Sequence, residues 1–133
     1  MRILNALRLL AASTVIAGAL ATAVPAGAVG PAGTSISIHS TATWINDGNI
    51  VVTLTVTCPA FTGAGVGVNV IQPQTMGGGG GGGTGINCNG SAQKVAVAVF
   101  GGPFTLGPAY AQASVCGFSG CATDTRQIRI AAP

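Results

Sequence analysis

Acidic side chains are almost missing from this sequence. Its 133 residues include two, Asp47 and Asp124, and no glutamate. Histidine occurs once, as His39. These shortages exclude chemistry. Glycoside hydrolysis needs two convergent carboxylates, and a Ser/His/Asp arrangement needs a positioned histidine. Asp47 lies in Asn46-Asp47-Gly48-Asn49, whose Asp-Gly step suits the left-handed positions of a hairpin turn. Asp124 sits beside Arg126, and a solvated ion pair is expected there. His39 alternates with Ile38 and reads as a solvent-face strand residue. Serines are available at Ser35, Ser37, Ser40, Ser91, Ser114 and Ser119, but none lies in G-x-S-x-G. The chain is expected not to be an enzyme, with no catalytic residue and no cofactor.

Basic residues are scarce as well. The formal charge is +3. Arg2 and Arg8 fall in a removable leader, which leaves Lys94, Arg126 and Arg129 against the two aspartates, a net +1. Such a chain has no electrostatic footprint for nucleic acid or anionic membranes.

Residues 1–28 have the form of a cleavable signal peptide. Arg2 and Arg8 precede the apolar run Leu9 to Leu20. Ala26-Gly27-Ala28 then offers a small-residue cleavage site, with a second after Ala23. The run is shorter than the roughly 20 residues of a spanning helix. No membrane span is expected after cleavage, and the expected location is extracellular or in the cell envelope.

Export makes sense of the four cysteines, Cys58, Cys88, Cys116 and Cys121. An even count in an oxidising compartment predicts two disulfides rather than a metal site. Zinc is disfavoured because no paired CxxC occurs and His39 is the sole imidazole. Side-chain phase selects among the three connectivities. Cys58 shares a face with Ile50, Val52, Leu54 and Val56, and Cys88 shares one with Ile86. Cys116 falls on the opposite phase from Ala109, Ala111, Ala113 and Val115. The expected pairs are Cys58–Cys88 across the core edge and a local Cys116–Cys121 clip.

After a flexible lead-in at residues 29–33, apolar residues recur with period two, the mark of half-buried strands. Val52, Leu54, Val56, Val95, Val97 and Val99 are the predicted core. About seven strands separated by short turns, with no helical period, predict a single all-β antiparallel sandwich over residues 34–133. Residues 77–85, dominated by glycine, read as a mobile exposed loop, because glycine has nothing to pack and the most backbone entropy to lose. A phosphate cradle is disfavoured there, since Gly-Lys-Ser/Thr and a following helix are both absent.

Of the six aromatics, Phe100 and Trp44 are expected in the core. Phe104 and Phe118 flank Gly/Pro turns and are the candidate surface contacts, Phe118 from inside the Cys116–Cys121 clip. Asn89-Gly90-Ser91 matches the glycosylation sequon, a common chance match.

Val51-Val52-Thr53-Leu54-Thr55-Val56-Thr57-Cys58-Pro59, the alanine-alternating strand ending in Val115-Cys116, then Cys121 and the closing Thr125-Arg126-Gln127-Ile128-Arg129-Ile130 resemble small exported immunoglobulin-like domains of actinobacteria. The resemblance spans roughly residues 34–131 and implies an immunoglobulin-like sandwich. The Cys-x4-Cys spacing of Cys116 and Cys121 is also similar to the antibiotic chromoprotein apoproteins of neocarzinostatin type, which hold an apolar chromophore. Cys58 and Cys88 are far more widely spaced than that family's other pair, so no ligand-contacting residues carry over.

The leading functional expectation is a secreted, non-catalytic module contacting a protein or a cell-envelope component. The alternative is a carrier of a small apolar ligand, suggested by the bare face at Ala109, Ala111 and Ala113. A peptidase inhibitor ranks third. By the chain-entropy estimate, the longer disulfide loop contributes roughly 3–4 kcal/mol and the short one about 2. Replacing Cys58 is therefore expected to lower the melting temperature more than replacing Cys121. Equal losses in thermal unfolding would contradict the ranking.

Overall fold

The computed structural model describes residues 28–30, 33–75, 78–118 and 120–133, with the backbone alone for 28 and 29. The expected leader up to residue 27 lies outside these residues. Nine strands run through them and no helix does: β1 (Ala28–Val29), β2 (Ser35–Ile38), β3 (Thr41–Asn46), β4 (Asn49–Thr57), β5 (Gly63–Ile71), β6 (Gly79–Asn87), β7 (Gln93–Gly101), β8 (Gly107–Gly117) and β9 (Gly120–Ala131).

Alternation decides which face each strand turns inward. In β4, Ile50, Val52, Leu54 and Val56 are fully buried while Thr53, Thr55 and Thr57 face outward. Val66, Val68 and Val70 of β5 and Val95, Val97 and Val99 of β7 join them, as do Ile128 and Ile130 of β9. Each such aliphatic contributes about 1.5–3 kcal/mol relative to exposure. Ala109, Ala111 and Ala113 of β8 belong to the same buried cluster.

The layout departs from two separate packed sheets. Hydrogen-bonded neighbours run β4–β7–β6–β5–β8–β9–β3 and back to β4, a closed ring of seven strands. All pairings in the ring are antiparallel except β3 with β9, where Thr41↔Arg129, Ala42↔Ile130 and Thr43↔Ala131 run parallel. Closure follows from a break in one course of chain. β2 pairs with Leu54–Thr57 of β4, whereas β3 pairs with Asn49–Val51 of the same edge and also reaches β9. His39 and Ser40 make the step between them. The His39 amide donates to Thr53 O (3.0 Å), and the Arg129 amide donates to Ser40 O (2.8 Å).

That step leaves the far edge of β2 without a ladder partner in β9. Two devices cover it. β1 pairs with Ser35 and Ile36, so Val29, expected in a flexible lead-in, is instead part of a strand that satisfies an open edge. Farther along, side chains of β9 take over. Asp124 Oδ2 accepts from the Ile38 amide (2.9 Å), and Arg126 Nη1 donates to Ile38 O (2.7 Å). Both residues share the inward phase of Ala122, Ile128 and Ile130. They are not the solvated pair expected. Half-buried charges need partners, and the peptide groups of Ile38 supply them.

The glycine tract also departs from expectation. Gly79–Gly83 and Gly85 belong to strand β6 rather than to a mobile loop, and Gly77 lies outside the described residues. Every position from Gly79 to Asn87 pairs with β5, and Gly80 and Gly81 also pair with β7. A Cβ added at Gly80 or Gly82 would overlap the carbonyl oxygens of Phe100 or Ala98. One added at Gly81 or Gly83 would lie 2.8 Å from Asn69 Oδ1 or 2.9 Å from Val66 O. At Gly80, Gly82 and Gly83 the strand passes so close to a neighbour's backbone that only glycine fits, a known use of glycine inside sheets.

Gly82→Ala is therefore expected to lose about 1–3 kcal/mol in denaturant unfolding, through overpacking against β7. Gly65→Ala, where nothing lies within 4 Å of the added Cβ, serves as the control. It should be neutral or stabilising by up to about 1 kcal/mol. Equal behaviour of the two variants would refute the close-approach account.

Candidate functional site

Both disulfides form with the expected partners. Cys58–Cys88 spans 30 residues with Cα atoms 5.3 Å apart, and Cys116–Cys121 spans 5 with Cα atoms 4.1 Å apart. Cys58 and Cys88 are buried while Cys116 and Cys121 are exposed, as their strand phases require. The two staples lie at one end of the ring, where β4 and β8 finish and β5 and β9 begin.

Between Cys58 and β5 the chain makes a tight turn fastened to the far side of its own disulfide. The Phe61 amide donates to Cys88 O (3.2 Å), the Cys88 amide to Thr62 O (2.8 Å), and the Gly90 amide to Cys58 O (3.0 Å). Thr62 Oγ1 closes the turn on Pro59 O (2.6 Å). Phe61 occupies the left-handed region at φ 64° and is 103% exposed. A non-glycine residue in that region stores strain, of order 1–2 kcal/mol. Phe118, between the cysteines of the short clip, is 102% exposed. Because Ala64 pairs with Gly117, the two phenylalanines project beyond the same ends of neighbouring strands β5 and β8.

A cavity of about 240 Å³ opens at this end, lined by Thr34, Cys58, Pro59, Ala64, Val115 and Phe118 among others, with no charged residue. Its wall is apolar, and the Phe118 ring stands at its rim. The arrangement can hold an apolar group, and its lining includes no carboxylate, imidazole or amine.

The other candidate contact, Phe104, is elsewhere and is 2% exposed. Gly102, at φ 91°, helps turn the chain back so that the Phe104 amide reaches Asp47 O (2.6 Å). Phe104 O in turn accepts from Trp44 Nε1 (3.2 Å). Phe104 thus lines a groove of about 330 Å³ with Trp44 and Leu106 rather than offering itself to a partner. Trp44, expected in the core, is half-buried and packs against it. Phe100 is not a core residue. Inward Val99 forces it outward, and it is 61% exposed. Asp47 occupies its hairpin turn, and half-buried His39 bonds Thr55 Oγ1 through Nε2 (2.9 Å).

Phe61 was the residue that sequence reasoning passed over. Its signal was present in Cys58-Pro59-Ala60-Phe61-Thr62-Gly63, an aromatic inside a turn that a cysteine anchors. Among the described residues no three His, Cys, Asp or Glu side chains gather in a way that could hold a metal ion. No helix among them is long and apolar enough to cross a membrane. In comparisons with known proteins, no family model and no curated sequence matches this chain.

Phe61→Gly should relieve the backbone strain without losing any buried contact. Thermal unfolding is expected to show a gain of about 0.5–1 kcal/mol. A loss of stability would mean that the ring makes contacts its full exposure does not suggest.

Proposed function

We propose that this protein is an exported, non-catalytic binding module that engages an apolar group of a protein or cell-envelope component at its stapled end. The observation that carries this reading is the pair Phe61 and Phe118, fully exposed in turns at the same ends of neighbouring strands β5 and β8, with Phe118 lining an uncharged apolar cavity. Burying a phenylalanine is favourable by about 1.5–3 kcal/mol, so two left in water at one rigid end provide binding free energy. Two disulfides and the backbone bonds to Cys88 hold the turns in advance, which lowers the ordering cost of association.

Export rests on the leader at residues 1–28 and fits the oxidising setting that two disulfides require. A cut after Ala23 would keep both residues of β1, and a cut after Ala28 would keep only Val29. The likeness to exported immunoglobulin-like domains rests on strand pattern. The carrier reading is weaker. At about 240 Å³ the cavity falls below the roughly 300–1,000 Å³ usual for small-molecule sites, and it suits one side chain or a short acyl segment. The alanine face that suggested the carrier is buried within the core cluster.

Retention of the protein on its own organism's cell-envelope fraction tests the proposal. The double variant Phe61→Ser, Phe118→Ser should lose at least tenfold in retention while unfolding at a temperature no lower than the parent. Undiminished retention would overturn the assignment of this end. An absorbance band that co-purifies with the protein and persists in the double variant would favour the carrier instead.

A further inference from the structure

The step from β2 to β3 opens a further recess on the side of the ring, whose lining shares no residue with the apolar cavity. It measures about 380 Å³ and is lined by Ser37, His39, Ser40, Thr41, Thr55 and Arg126, together with Ile38. We infer that this recess binds a small carboxylate, with the Arg126 guanidinium as the principal contact and His39 and the surrounding hydroxyls completing the shell.

Arg126 projects from the inward phase of β9 into the space where β2 has no ladder partner. One of its N–H groups is used on Ile38 O at 2.7 Å, which anchors the side chain in the wall of the recess. A guanidinium carries five N–H donors in a planar fork, and that fork matches a carboxylate in two-point geometry. The positive charge has no acid opposite it within the recess. Asp124, the one carboxylate of β9, is committed to the Ile38 amide and does not line the space. Asp47, the only other acid, lies in the β3–β4 turn.

The remaining wall supplies donors. His39 is held by Thr55 through Nε2, which orients the ring and leaves Nδ1 without a partner among the described residues. Ser37, Ser40 and Thr41 add hydroxyls that can each donate one hydrogen bond. A half-buried arginine anchored by a carbonyl rather than neutralised by an acid, facing imidazole and hydroxyl groups, is the chemistry of anion recognition. Arg126 is the one charged side chain lining the recess, so its single positive charge matches a monoanionic carboxylate better than a doubly charged sulfate.

The test is a titration of isotopically labelled protein with acetate, and separately with sulfate, at constant ionic strength, read by nuclear magnetic resonance. Acetate should give saturable shifts at Arg126 Nε and at the amides of Ser37 to Thr41 and Thr55, with sulfate binding more weakly. Arg126→Lys keeps the charge but loses the fork and should weaken acetate about tenfold. His39→Ala leaves the Arg126–Ile38 bond intact and should weaken it several-fold. Arg126→Gln should abolish the shifts. If that variant loses its dispersed spectrum, the lysine and alanine variants decide. Shifts that never saturate, or equal acetate affinity in parent, Arg126→Lys and His39→Ala, would overturn the inference. Tighter binding of sulfate than acetate would overturn the assignment to a carboxylate.

Discussion

The passage of β6 between β5 and β7 is the constraint on which the rest of this structure depends. Without it, β5 and β7 would each present an open edge, and the seven strands could not form a ring. Its glycines leave the carbonyls of Phe100 and Ala98 on one side, and of Val66 on the other, within reach of β6 backbone alone. Sheets usually gain stability through cross-strand side-chain pairs. Here one strand gives up that gain, and accepts the entropy cost of ordering glycine, in return for two backbone neighbours. Ile71 and Phe100, the register partners of Gly79 and Gly81, stand exposed on the outer surface to either side of the strand.

The opposite seam solves a related problem with different means. β2 and β3 share one edge of β4, and only β3 continues into β9. The peptide groups of Ile38 would be left unmatched, so Asp124 and Arg126 act in place of a missing strand. The two charges sit on a phase otherwise occupied by Ala122, Ile128 and Ile130. Their partial burial is tolerated because each bonds a main-chain group, and a charge-assisted hydrogen bond is stronger than a neutral one. The recess beside Arg126 is a by-product of the same geometry.

At the stapled end the physical logic runs the other way. Phe61 has an unfavourable backbone conformation and no burial to offset it. The conformation persists because Cys58–Cys88 and three backbone hydrogen bonds determine the turn from both sides. Local strain that the surroundings over-determine is typical of positions kept for contact rather than for folding. Phe104 shows the contrast: equally apolar and also next to Gly and Pro, it folds under the β3–β4 hairpin and contributes to the core.

Apart from β1 and the glycine part of β6, the strands and their buried faces were legible along the chain, as were both disulfides, because period-two alternation and cysteine phase are local properties. Ile50 to Cys58 declares its inward face without reference to anything else, and Cys116 declares itself outward by the same count. Three features were not legible. A glycine run carries no alternation and low strand propensity, and only the proximity of Ala98 and Phe100 makes glycine obligatory in β6. Asp124 and Arg126 read as a pair by their spacing, whereas their true partner, Ile38, lies more than eighty residues away in the chain. Phe104 and Phe118 have similar neighbours in sequence, and their opposite fates depend on whether another element folds over them. The sequence by itself determined the local periodicity and the covalent pairing. Ring closure, the backbone role of the two charges and the choice of which aromatics meet solvent were decided by long-range contacts, which no local pattern encodes.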